Sequence, residues 1–143
     1  MSQIQSFDIL DAEYEFDGGA RCPRVEEFPE ITPDMISDGN PVVTELERIT
    51  IEFSYPLGQP TVREFFKPGG FTAYDFYRAV YEGYVKIYAE EEAATGDPGV
   101  IPGMLNRAAS NGPHGIWGHG LEDLFLEGFR EHQPGHFTLG IGS

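Results

Sequence analysis

The segment Thr72 to Glu92, TAYDFYRAVYEGYVKIYAEEE, constrains the fold most, because it alone is long and periodic enough to define a helix. Thr72 is placed to accept a hydrogen bond from the backbone N–H of Asp75, whose carboxylate sits in the positive first turn. Phe76, Val80, Tyr84 and Ile87 recur on one face at helical spacing, with Tyr77, Tyr81 and Tyr88 beside them. That stripe must be buried. Glu90 to Glu92 are unfavourable beside the negative C-terminal end of a helix, and Ala93-Ala94-Thr95-Gly96 predicts a left-handed stop at Gly96. About 20 residues make a rod roughly 30 Å long, enough to cross a small sheet.

A chain of 143 residues is expected to form one core. Eleven Phe, seven Tyr and one Trp make that core aromatic, and each buried tyrosine hydroxyl then needs a partner or a wet rim. The net charge of −15 argues against nucleic acid or an anionic membrane as partner, since both need clustered Lys and Arg. It leaves a protein partner with a basic or apolar surface. The single Cys22 excludes an intramolecular disulfide and a cysteine-based zinc site, and reads as a free thiol in a reducing compartment. No signal-peptide pattern and no run of 18 apolar residues occurs, so the expected location is soluble and intracellular.

Residues 1–45 read as an acidic, extended arm and residues 46–143 as the domain proper. The first 52 residues hold thirteen acids against Arg21, Arg24 and Arg48, and Pro23, Pro29, Pro33 and Pro41 interrupt any period. Ile9, Tyr14, Phe16, Phe28, Ile31 and Met35 are too many for a purely solvating tail, and Phe7-Asp8-Ile9-Leu10 reads as a short strand or pairing segment. The arm is therefore expected to pack in pieces, on its own domain or on a neighbour, with Phe7, Tyr14 and Phe16 as interaction candidates. Ile49–Tyr55 alternates apolar and polar residues as a half-buried strand, Pro56–Pro60 is a turn, and Thr61–Lys67 returns as its hairpin partner. Leu124–Glu131 is ambiguous between helix and strand. With the turn at Gln133–His136 and the alternation of Phe137, Leu139 and Ile141, a second hairpin is favoured. The fold expected is α+β: a small antiparallel sheet of two hairpins packed against one long amphipathic helix, with the N-terminal arm extended.

Between helix and second hairpin, Asp97 to Gly120 lacks any period, and long loops of that kind often carry function. Within it, His114 and His119, with Asp123 just beyond, are the only candidates for a metal-assisted hydrolase. Their spacing supports this weakly, with no H-E-x-x-H pattern. The competing reading is structural, with Trp117 plugging the core and the histidines bonded to loop carbonyls. Between the two, Trp117, His114 and His119 form an interaction surface with Trp117 as anchor. The carboxylate clusters Glu26-Glu27, Glu90 to Glu92 and Glu122-Asp123 read as solvated faces, and no nucleophile elbow or phosphate loop appears.

FTAYDFYRAVYEGYVKIYAEEE, IPGMLNRAASNGPHGIWGHGLEDLFLEG and the closing HFTLGIGS resemble an uncharacterised family of small proteins from plants, algae and large DNA viruses. The likeness covers about residues 49–143 and is most specific at GIWGH, Gly115 to His119. It implies no activity, cofactor or catalytic residue, and points to an algal or virus-encoded source. The function expected is a non-enzymatic structural or protein-interaction subunit of a larger assembly, virion- or capsid-associated if virus-encoded. A small-molecule or peptide-binding module using the 97–120 loop is the alternative. No cofactor is implied.

Overall fold

The computed structural model describes residues 5–7, 24–36 and 39–143. Its strands are β1 (Gln5–Phe7), β2 (Val42–Thr44), β3 (Arg48–Phe53), β4 (Thr61–Phe66), β5 (Phe71–Thr72), β6 (Phe125–Gln133) and β7 (His136–Gly142). Among the described residues a single α-helix, α1 (Ala73–Thr95), lies between β5 and β6. The architecture is α+β. Both hairpins form, β3 with β4 and β6 with β7, joined in a five-stranded sheet of order β1-β6-β7-β3-β4. The sheet is mixed rather than wholly antiparallel, because β3 and β7 pair in parallel through Ile51↔Phe137 and its neighbours. A parallel pair needs a long crossover, and α1 with the loop after it supplies one.

Local chemistry sets the bounds of α1. The Thr72 hydroxyl accepts from Asp75 N at 3.2 Å, and the Asp75 carboxylate accepts from Thr72 N at 3.0 Å, closing a capping box. Two further amides of the first turn are met from outside: Tyr74 N donates to Asn40 Oδ1 at 2.8 Å and Ala73 N to the Pro41 carbonyl at 2.8 Å. At the other end Gly96 takes φ 78°, and the helix continues three residues past Glu92 before stopping there.

The predicted stripe is the core. Phe76, Val80, Tyr84 and Ile87 are fully buried, and Phe76 stacks on Phe129 at 4.0 Å between ring centroids. Gly83 sits where α1 crosses β3, and a Cβ there would lie 2.9 Å from both ε-carbons of Phe53. The tyrosine hydroxyls find backbone partners on three separate segments: Tyr77 donates to the Arg24 carbonyl, Tyr84 to the Tyr55 carbonyl at 2.7 Å, and Tyr88 to the His119 carbonyl at 2.8 Å. The α1 face therefore holds loops as well as sheet.

Part of the stretch expected as an arm belongs to this core. Val25–Glu30 and Pro33–Met35 form short 3-10 turns, and Val25, Phe28, Ile31, Ile36 and Val43 are buried with the helix residues. Phe28 packs on Tyr74, Tyr77 and Tyr81 with centroids 5.0–5.5 Å apart. Glu27, expected in solvent, is buried and pairs with Arg24 Nε at 3.0 Å. Further toward the N-terminus, β1 pairs with β6, while Tyr14, Phe16 and Cys22 lie outside the described residues.

Candidate functional site: a loop built around a buried carboxylate

The 97–120 loop has no regular secondary structure, yet it is held from inside by one side chain of α1. Glu91 is 0% exposed. Its Oε2 accepts from Ser110 Oγ at 2.5 Å, Gly112 N at 2.9 Å and Ile116 N at 3.3 Å, and its Oε1 accepts from His114 N at 2.8 Å. Four donors on one loop thus converge on a carboxylate projected by the helix. Burial pushes this carboxyl up, but the Ser110 hydroxyl and the amides of His114, Gly112 and Ile116 more than offset that, bringing it down to about 2. It stays charged. Gly112 is required beside it, because a Cβ there would meet Glu91 Oε1 at 2.5 Å.

The balancing cation is Arg107, the one Lys or Arg of the loop and itself buried. Its Nη1 donates to the Ala108 and Ile116 carbonyls, both at 3.2 Å, and both terminal nitrogens donate to Ser110 Oγ at 3.3 Å. The guanidinium lies 5.6 Å from the centre of the Tyr88 ring. Ser110 accepts from Arg107 and donates to Glu91, so one hydroxyl links two buried side chains of opposite charge. Such a pair is justified only when its remaining valences are met, as they are at Glu91. Around it the backbone is knitted by bridges between Arg107 and both Val100 and Gly118, and between Leu57 and Ile116. Gly58 N and Gln59 N donate to the Gly115 and His114 carbonyls at 2.9 and 3.1 Å, fastening the loop to the β3–β4 turn.

The histidines singled out by sequence do not converge. His114 is buried with Nε2 2.8 Å from Glu90 Oε1, and Arg63 binds both oxygens of Glu90 at 3.0 and 2.5 Å. The Arg63 hydrogen bonds, then that of His114, hold the Glu90 carboxyl down at about 2. His119 instead lies 3.6 Å from Asp123 Oδ2 and beside the Tyr55 ring, centroids 5.8 Å apart. Among the described residues no group of three or more His, Cys, Asp or Glu is placed to hold a metal ion. Trp117 is not a core plug: it is 44% exposed and packs edge-on against Tyr55, while its neighbour Ile116 fills the core. Among the described residues no helix is long and apolar enough to cross a membrane.

Glu91 was therefore misread as solvated, whereas Glu90, 43% exposed, does stand on a solvated face while pairing with Arg63 and His114. A signal existed, because three glutamates at the end of a helix that disfavours them contradict local preference, and such conflicts mark sites with another use. Arg107, alone in an otherwise cation-free loop, was the second clue.

What the loop presents outward is apolar. Leu105 is 97% exposed, and Val100 and Met104 are also exposed. Against α1, Val100 and Leu105 border a cleft of about 460 Å³ lined also by Tyr88, Ala89 and Arg107. Asn106 Nδ2 donates to the Gly118 carbonyl at 3.3 Å, tying this tip to the strand of loop that carries Trp117. No protein-family model, no curated protein and no solved structure matches the chain.

Proposed function

We propose that this chain is a non-enzymatic protein-interaction subunit of a larger assembly, with the 97–120 loop as its contact surface. The observation that carries the reading is the contrast between the loop's inside and its outside. Four hydrogen bonds converging on Glu91, one of them from the Ser110 hydroxyl that also accepts from Arg107, fix it from within, while Leu105, Met104 and Val100 stand exposed at its tip. Fixing a loop beforehand removes the ordering cost of binding, and an apolar tip on a fixed loop gains most from that. Trp117 adds a half-exposed aromatic of the kind that anchors interfaces. His114 of the loop is engaged with Glu90 of α1, and Glu91 of α1 is engaged with four donors of the loop. The resemblance to a family found in plants, algae and large DNA viruses makes a virion or capsid one such assembly if the chain is virus-encoded.

A peptide-binding role is the second reading, favoured by the 460 Å³ cleft, which is within the roughly 300–1,000 Å³ of ordinary ligand sites. The test is the mass of the native species in its source extract, for wild type and for Leu105→Asp. The interaction reading expects a species much larger than 15.9 kDa that is released as free chain by the substitution. A wild-type chain that migrates alone contradicts it. A point variant is the right tool, since deleting residues 1–45 also removes Val25, Phe28, Ile31, Ile36 and Val43 from the core.

A further inference from the structure

The cleft beneath the loop tip is lined by both apolar and acidic side chains. Val85, Val100, Leu105 and Leu121 contribute apolar wall. The charges lining it are Glu92, Asp97 and Glu122 on one side of the balance and Arg107 on the other. Arg107 is directed inward to Ser110 and two carbonyls, whereas Glu92, Asp97 and Glu122 are exposed. An approaching group therefore meets three exposed carboxylates beside the apolar side chains of the cleft, on a chain whose net charge is −15. Anionic ligands are repelled at entry.

We infer that this cleft takes a short segment of a partner protein in which an apolar side chain is flanked by Lys or Arg. The apolar residue seats between Val85, Val100 and Leu105, and the flanking cations lie against Glu92, Asp97 and Glu122. Complementary charge speeds the encounter and fixes the register, and burial of the apolar anchor retains the complex. This deepens the interaction reading above and rests on it.

Selection of random twelve-residue peptides on the immobilised full chain, followed by titration of the enriched peptides by calorimetry, tests it. The enriched set should combine Leu, Ile, Met or Phe with at least two Lys or Arg. Glu92→Gln with Glu122→Gln should weaken such peptides at least fivefold at low salt, and Leu105→Asp at least tenfold. All three positions are exposed, so the thermal midpoint of each variant should stay at the wild-type value. Enriched peptides that are neutral or acidic, or that ignore the double variant, overturn the basic occupant. If those peptides still lose binding with Leu105→Asp, the loop remains an interaction surface for another class of segment. If no enriched peptide depends on Leu105, the interaction reading of the tip fails as well.

Discussion

Replacing Glu91 by Gln changes one oxygen into an NH2 group and should cost this protein a large part of its stability. In the best placement the Gln oxygen stands where Oε2 stands, keeping Ser110 Oγ, Gly112 N and Ile116 N, and the NH2 faces His114 N–H, donor against donor. One buried amide left without an acceptor costs about 1–3 kcal/mol. The three surviving bonds lose their charge assistance, which halves bonds of this kind, and Arg107 loses its counter-charge. The sum is about 3–5 kcal/mol. The same hydrogen bonds expressed as a carboxyl at about 2 in the fold against an ordinary 4.5 correspond to about 3 kcal/mol of preference for the charged form.

Helix propensity plays no part, since Gln and Glu are nearly equal. For a domain of this size the thermal midpoint should fall by about 10 °C at pH 7, while the exposed neighbour Glu92→Gln should move it little. The pH dependence carries the sign. A carboxyl lowered by folding contributes its stability in full above the unfolded value of 4.5, and loses it as pH falls toward about 2. The gap between wild type and E91Q should therefore be widest above pH 4.5 and close toward pH 2. Glu90 titrates in the same window but is present in both proteins, so it cancels from the difference. A midpoint for E91Q within about 2 °C of wild type at pH 7, or a gap that persists at pH 2, would refute the reasoning.

Other substitutions probe other parts. Gly112→Ala places a methyl 2.5 Å from Glu91 Oε1, so it should reproduce much of the E91Q loss, read as a matching fall in thermal midpoint. Gly83→Ala sets about 1 kcal/mol of helix propensity against a methyl driven into the Phe53 ring. Overpacking costs of about 1–3 kcal/mol should win, giving net destabilisation by chemical denaturation. Thr72→Ala removes the cap acceptor of α1 and should cost about 1 kcal/mol in the same assay. Ser110→Ala removes the hydroxyl between Arg107 and Glu91 and should lower the midpoint by several degrees.

Local rules carried most of the fold and little of the site. The α1 segment was legible because its cap, its apolar period and its stop at Gly96 agree with one another. Both hairpins were legible from alternation and turn residues. The parallel joining of β3 and β7 was not, because a strand's sequence does not state which neighbour it takes or in which direction. The burial of Phe28 and Ile31 was legible in part, since they are among the apolar residues too many for a solvating tail, but where they pack was not. Phe28 and Ile31 occur in short turns with no period, and only the tyrosine side of α1 gives them something to cover. At the site, GIWGH drew attention to Trp117 and the histidines, yet the organising residue sits two dozen positions earlier on a helix. Glu91 is recognisable only once the loop's amides are seen to point at it. A carboxylate that accepts from Gly112, His114 and Ile116 leaves no sequence pattern, since any residue can offer a backbone N–H.

Amide hydrogen exchange at Gly112, His114 and Ile116, compared between wild type and E91Q, tests most directly whether one buried carboxylate holds the loop. The account predicts protection of these three amides near the level of the α1 and β3 amides in wild type. In E91Q it predicts their selective loss, with helix and sheet still protected at low temperature. Fast exchange at all three in wild type, or equal protection in both proteins, would contradict it.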